Sequence, residues 1–401
     1  MGENITYTTF TGLRPHFDAL ARVGYFKIVL KSLSPTKRYL HDLYRCILWI
    51  LILTYNLQHI IRVIQVRIFR VTNLIVDTLF ILLTTLNTLG KQVTFNWRSH
   101  RIDGVIDIIN GPSFAATKSY HVIVLKENAV LMSRLLNLYH GAIFTCGCMW
   151  TIFPIVNRAL GEDVQFTGYF PFDTTYLCPY MTILITFQAY GNVTMDCTIV
   201  SFYAQAKIQI QMLRYNIEQL VEFDDAPEIN TKLIKGSNQY TYKDNEAEKT
   251  EVLERLRKCV IHYNQIVRFA KETESIFGEA MVVQFFVMAW VICMTTYKIV
   301  GLSIFSAEFV SIAIYLLCML AQLFIYCYFG TQLKVESDFV NQSIYCCDWL
   351  RLSPRFRRQL LIMMQCCSRP IAPRTAYVIP MSLETYIVLK SSYTLFTFLN
   401  R

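Results

Sequence analysis

Seven stretches of this chain are apolar over the length that crosses a bilayer, and that property limits the folds open to it. About 20 residues rising ~1.5 Å each cross a hydrocarbon layer ~30 Å thick, and runs of this kind lie at about 46–65, 71–89, 136–156, 178–202, 277–299, 308–329 and 382–399. With no water in the bilayer core, each backbone N–H and C=O must be satisfied inside its own segment, so the runs are expected as helices. The expected fold is all-α, a seven-transmembrane helical bundle in one membrane-embedded domain covering residues 1–401. Only 17% of residues are charged, against about a quarter in soluble domains, and mean hydropathy is +0.34. The seventh run is the least regular, since Lys390 and several Ser and Thr residues interrupt it.

Before residue 46 there is a polar stretch carrying Arg14, Arg22, Lys27, Lys31, Lys37 and Arg38, with no apolar segment of signal-peptide type, so the first span is expected to be the anchor. Most of the 38 Lys and Arg residues fall in segments that share a side with the amino terminus; the exceptions are Arg62, Arg67, Arg70, Arg158, Lys298, Lys390 and Arg401. Positive charge stays cytoplasmic, which puts the amino terminus inside and the carboxyl terminus outside. A G-protein-coupled receptor has the reverse orientation. Its Asp-Arg-Tyr and Asn-Pro-x-x-Tyr motifs are also missing after the third span and in the seventh. The net charge of +9 is accounted for by basic loops facing anionic membrane lipid, with no nucleic-acid partner.

The 13 cysteines lie mostly in spans or on the reducing side, so no structural disulfide is expected. Cys146-Gly147-Cys148 lacks the second pair that zinc requires, and none of the seven histidines has a partner at ligand spacing. Neither a metal nor a cofactor is expected, and no catalytic motif is present. Cys346-Cys347 and Cys366-Cys367 suit either helical packing or palmitoylation. The sequon Asn192-Val193-Thr194 falls inside the fourth span, where it would not be glycosylated.

Residues 224–249 combine turn formers with no apolar period and read as a mobile loop. From Glu246 to Phe277, by contrast, Val252, Leu256, Val260, Tyr263, Ile266 and Ala270 recur at helical steps, with Glu251 and Arg255 paired on the other face. This helix should run on into the fifth span. Gln205–Glu222 and Lys334–Leu350 should likewise extend the fourth and sixth. Their apolar faces must be buried either within the subunit or between subunits. Among ionisable residues in spans, Asp77 and Lys390 are functional candidates; the alternatives are pairing of Asp77 with Arg67 or Arg70 and snorkelling of Lys390. At 100° per residue, Leu389, Tyr393, Phe396 and Asn400 share one stripe of the last helix. Around a common axis, that stripe would line a pore, with Phe396 as a dewetting constriction and Asn400 at its mouth.

The run Tyr326-Cys327-Tyr328-Phe329-Gly330-Thr331-Gln332-Leu333-Lys334-Val335-Glu336-Ser337 is followed by Tyr345-Cys346-Cys347-Asp348-Trp349, Arg355 to Leu361, Ser368-Arg369-Pro370 and Ser382-Leu383-Glu384-Thr385-Tyr386. This ordered series resembles the carboxy-terminal signature of insect odorant receptors. The resemblance implies a subunit of an odorant-gated, non-selective cation channel in the plasma membrane of an olfactory neuron dendrite. It implies a heteromeric, tetrameric assembly with the odorant-receptor co-receptor, a small volatile odorant as ligand and permeating cations. In that family the helical extensions form an intracellular anchor between subunits, and a final helix with Tyr and Gln lines the pore. Here Tyr393 is retained and Leu399 stands in place of Gln. The departure favours a ligand-tuned odorant subunit over a gustatory-type channel working without the co-receptor.

The resemblance also implies a pocket between spans two, three, four and six, in the outer half of the membrane. The residues expected there are Ile75, Leu79 and Phe80; Met149, Trp150 and Phe153; Tyr180, Met181 and Leu184; and Phe309 and Ile312. Ordinary bundle packing is the alternative for each.

Overall fold

The computed structural model describes residues 8–28, 34–69, 72–159, 178–221, 246–300, 307–375, 379–388 and 391. Their helices are α1 (Arg14–Arg22), α2 (Pro35–Phe69), α3 (Thr72–Trp97), α4 (Ser99–Ile109), α5 (Ser119–Ala159), α6 (Cys178–Glu218), α7 (Glu246–Val300), α8 (Ala307–Cys346) and α9 (Pro354–Cys367). A two-residue antiparallel ladder, Arg374–Thr375 with Ile379–Pro380, precedes a last helical stretch at 383–388. The first six expected spans lie in α2, α3, α5, α6, α7 and α8, and the seventh begins at 383–388. Among the described residues, apolar windows long enough to cross a membrane are complete in Pro35–Gln65, Thr250–Thr296 and Ile312–Cys346. The windows in α3, α5 and α6 run on beyond the described side chains.

The helices are amphipathic in the sense a membrane requires. On α2, Leu43, Ile47, Ile50, Leu53, Leu57, Ile60 and Ile64 face outward, while Asn56 and His59 are buried. One polar atom of each turns back on its own helix: Asn56 Nδ2 donates to the Ile52 carbonyl at 2.8 Å, and His59 Nδ1 lies 2.9 Å from the Tyr55 carbonyl. Polar groups hidden from lipid in this way avoid the cost of bare exposure to hydrocarbon.

The 55 residues of α7 extend roughly 80 Å, far past a bilayer, so the helix that begins at Glu246 does pass directly into the fifth span. Val252, Leu256, Tyr263, Ile266 and Ala270 are buried as the stripe predicts. Val260 is turned out, and Cys259 takes its place in the core. The extensions of α6 and α8 are clamped to each other within the subunit. Arg214 Nη1 donates to Glu336 Oε2 at 2.7 Å, and Gln211 Nε2 donates to Glu336 Oε1 at 2.6 Å. Ser343 Oγ accepts from Arg214 Nε at 3.0 Å and donates to Glu218 Oε1 at 2.6 Å. In each cysteine doublet one residue is buried, Cys347 or Cys367, and its neighbour is exposed.

The polar amino-terminal stretch is more deeply integrated than its composition suggests. Leu13, Phe17, Leu20, Tyr25 and Phe26 are all at most 2% exposed, and α1 packs against α6 and α5. Gly24 makes the return possible. At φ 70° it ends α1 in a Schellman closure, with Tyr25 N–H donating to the Leu20 carbonyl and Gly24 N–H to that of Ala21. Phe17 and Phe26 then complete a closed ring of phenyl contacts through Phe95, Phe277 and Phe202, with centroids 5.0–6.1 Å apart. His16, on the same helix, is buried and has no hydrogen-bond partner among the described residues for either ring nitrogen. Burial, and secondarily His140, lowers its pKa to about 4.

Candidate functional site

Four helices, α3, α5, α6 and α8, wall a partly open cavity of about 140 Å³. Its walls are Ile81, Thr84, Thr85 and Thr88 from α3; Tyr139, Ala142, Ile143, Cys146 and Gly147 from α5; Ile185, Thr186, Gln188, Ala189, Asn192 and Val193 from α6; and Tyr315, Cys318, Met319 and Gln322 from α8. A cavity of ~150 Å³ suffices to admit a benzene ring, so this one accommodates a small volatile. The Cys146 and Cys318 sulfurs face each other at 4.0 Å across α5 and α8.

These are the four spans expected to build a pocket, but the described lining lies deeper than expected on every one. The expected α3, α6 and α8 residues precede the described lining, and those of α5 follow it, by offsets that run from a single residue at Phe80 and Leu184 to nearly two turns at Ile75 and Phe153. Leu79, Met149, Leu184, Phe309 and Ile312 are half-buried and do not line the cavity. The side chains of Ile75, Phe80, Trp150, Phe153, Tyr180 and Met181 lie outside the described residues, as do Asp77's side chain and all of Lys390. So do residues 224–245 of the expected loop, whose last four positions, 246–249, instead belong to the first turn of α7, and the pore-stripe residues Leu389, Tyr393, Phe396 and Asn400. Thr84, Thr85, Thr88, Gln188, Asn192 and Gln322 are polar residues within apolar segments, and such residues turn towards the bundle interior.

Beneath the cavity is an ion pair that sequence reading missed. Lys91 and Asp196 are 2% and 4% exposed and are bonded to each other. Lys91 Nζ also donates to Asn192 Oδ1 at 2.9 Å, while Asp196 accepts from Tyr326 Oη at 2.5 Å and from Gln322 Nε2. One acidic residue inside the fourth span and one basic residue just past the second were the visible signs. The network ties α3, α6 and α8 together at the cavity floor, and Asn192 and Gln322 belong to both.

From this floor, α8 leads to the start of the last helix, where the signature motif has a physical role. Gly330 packs so tightly that a Cβ would sit 2.1 Å from the Met381 carbonyl oxygen. Thr331 Oγ1 accepts the Leu383 N–H and Ser337 Oγ the Ile371 N–H, both at 2.9 Å. Phe324 meets Tyr386 edge-on at 5.5 Å. The motif therefore latches the chain leading into the final helix on to the helix that lines the cavity.

A multispan helical bundle with a small apolar cavity walled by four of its helices defines a membrane protein built to receive a small ligand. The 7tm Odorant receptor family profile matches residues 72–393, and the chain belongs to that family. Odorant receptor 46a, isoform B, of Drosophila melanogaster is 26% identical over 366 residues, covering 88% of each chain. Odorant receptor Or1 of Anopheles gambiae is 23% identical over 335 residues, covering 80% of each. The solved structure of the insect olfactory receptor OR5 from Machilis hrabei superimposes with a TM-score of 0.78 at 13% identity, covering 97% of both chains. The structure of the same receptor in complex with eugenol gives 0.79. At this identity the likeness establishes the fold, a seven-helix bundle. The protein is a membrane-embedded receptor, not an enzyme.

Proposed function

We propose that this chain is the odorant-binding subunit of a heteromeric cation channel formed with the odorant-receptor co-receptor in the plasma membrane of olfactory neuron dendrites. The observation that carries the reading is the cavity between α3, α5, α6 and α8, because its size and mostly apolar walls suit a volatile molecule. The chain acts as one membrane-embedded unit with its amino terminus cytoplasmic. Ligand in the cavity touches α8 between Tyr315 and Gln322, and the latch at Gly330 and Thr331 carries a displacement of α8 to the final helix. Differential affinity for the open arrangement then shifts the population towards conduction. Leu389, Tyr393, Phe396 and Asn400 line this subunit's share of the pore. In the cavity's outer mouth, Ile75, Leu79, Phe80, Met149, Trp150, Phe153, Tyr180, Met181, Leu184, Phe309 and Ile312 form the entry path that an odorant crosses.

The test is whole-cell recording from cells expressing the chain with and without the co-receptor, against a panel of volatiles. Ligand-evoked cation current should require both subunits, and Ala142→Trp, which fills the cavity from α5, should abolish it while surface labelling persists. Current without the co-receptor would favour a gustatory-type channel. An epitope at Met1 reached by antibody on intact cells would overturn the orientation and the channel reading with it.

A further inference from the structure

Two thiols meet in the wall of the cavity. Cys146 of α5 and Cys318 of α8 both line it, and their sulfurs stand 4.0 Å apart, with either one able to donate to the other. Both residues are half-buried. A cysteine ends in its sulfur, so what a molecule in the cavity meets of each side chain is the thiol itself.

A thiol attacks carbon only as its proton leaves, because the thiolate is the nucleophile. In an apolar wall a solitary thiol has nowhere to send that proton, and it packs as a small hydrophobe. A second sulfur within hydrogen-bond reach supplies the missing acceptor. It also carries a proton of its own, which it can pass on.

We infer that Cys146 and Cys318 form a covalent capture site for small volatiles bearing an α,β-unsaturated carbonyl. One thiol adds to the β-carbon of the ligand, and the C–S bond forms as the C=C π bond breaks. Its proton passes to the facing sulfur, whose own proton goes to the α-carbon. The net change is addition of S–H across the double bond, with the second thiol restored and no oxidant or reductant consumed. The two roles are interchangeable, since either sulfur can be the donor. Negative charge develops on the carbonyl oxygen during attack, and the cavity floor holds a donor for it. Asn192 Oδ1 is taken by Lys91 at 2.9 Å, which leaves the Nδ2 of this lining residue for a ligand. Holding the alkene beside the pair turns an encounter in solution into a step within one complex. The cavity of about 140 Å³ limits the ligand to roughly the size of benzene, which admits a four-carbon enone. The inference rests on the cavity admitting a volatile, as proposed above, and not on channel opening.

The experiment uses the full chain co-expressed with the co-receptor, with 3-buten-2-one as the probe and 2-butanone as its saturated match. Digestion of the treated membranes and mass spectrometry should find the whole mass of one enone added at Cys146 or Cys318. Excess 2-butanone should suppress that labelling while the exposed Cys46 and Cys366 label as before. Neither reading needs a substitution, so both hold whether or not a variant folds. Cys146→Ala and Cys318→Ala each remove the relay and should slow labelling of the remaining thiol by about 100-fold, the loss typical of a missing acid–base partner. Adducts confined to the exposed cysteines, labelling of the pair that 2-butanone leaves unchanged, or a single variant that labels at the wild-type rate would overturn the inference. Current recording separates this from failure of the cavity as the odorant site. After washout, activation or block by the enone should persist, whereas that by 2-butanone should reverse. An adduct on the pair without effect on current leaves the capture site standing and removes the cavity from gating. Equal, reversible currents from both probes with no adduct leave the ligand site standing and remove capture.

Discussion

Asp196→Asn should unfold the bundle more readily than any comparably small change at its surface. The carboxylate is 4% exposed and holds Lys91, Tyr326 and Gln322 at once. At an effective dielectric of ~20, two unit charges roughly 3 Å apart attract by about 5 kcal/mol. Substituting Asn retains the Oδ1 that accepts from both Lys91 and Tyr326 but removes the charge that balances the buried ammonium, and it sets an NH2 group against the Gln322 Nε2 donor. Breaking a buried pair from one side costs about 3–5 kcal/mol, whereas replacing both members by neutral groups is often close to neutral. Asp196→Asn and Lys91→Met should therefore each be strongly destabilising, and the double variant should recover most of the loss. Heat challenge of the detergent-solubilised full chain, followed by fluorescence-detected size exclusion, measures all four forms of the cycle. Additive losses in the double variant, or two silent single variants, would refute the argument that the pair is dry and mutually dependent.

Gly330→Ala forces Met381 away from α8, since the new Cβ would stand 2.1 Å from a backbone oxygen and 2.8 Å from the Met381 Cβ. Maximal ligand-evoked current should fall severalfold with surface labelling retained. Two histidines outside the spans set an acid limit on stability. Burial lowers the pKa of both His16 and His262 to about 4, helped by His140 for His16 and by His121 for His262. Because the unfolded chain takes up protons at about 6.5 and the folded chain does not, stability should be full above pH ~6.5. It should fall towards pH ~4 by roughly 3 kcal/mol per histidine and then level off. His262 Nε2 lies 2.8 Å from Gln209 Oε1, and His262→Asn should flatten its share of the thermal-midpoint profile between pH 7 and 4. In the last helix, Phe396→Ser should raise basal current modestly and Asn400→Asp should alter cation permeability ratios, with Leu395→Ser as the silent control. Equal effects at Leu395 and Phe396 in the same recordings would remove the pore stripe.

Much of this was legible before any fold was known, for a reason specific to membranes. Desolvating the backbone forces each apolar run of spanning length into a helix, so the spans at 46–65 and 308–329 could be read from composition alone. The stripe from Val252 to Ala270 announced a long extension because helical periodicity is local. The motif from Gly330 to Ser337 announced the family. Its role as a latch was not visible, because the atoms it meets belong to Ile371, Met381 and Leu383, dozens of residues away.

The sequence by itself determined the seven-helix class, the helical extensions and the family, since each follows from local hydrophobicity, periodicity or a contiguous motif. Only the tertiary structure decided that Phe17 and Phe26 reach the core, that Val260 yields its place to Cys259, and that the cavity lies deeper than the aromatic residues near the span ends. It alone joined Lys91 to Asp196 across 105 residues and set Cys146 against Cys318 in one wall. In a bilayer almost any apolar side chain is equally content facing lipid or a neighbouring helix. The sequence therefore marks which segments are buried in the membrane, while the rotation and depth of each helix are set by the few polar groups that must find partners on other helices.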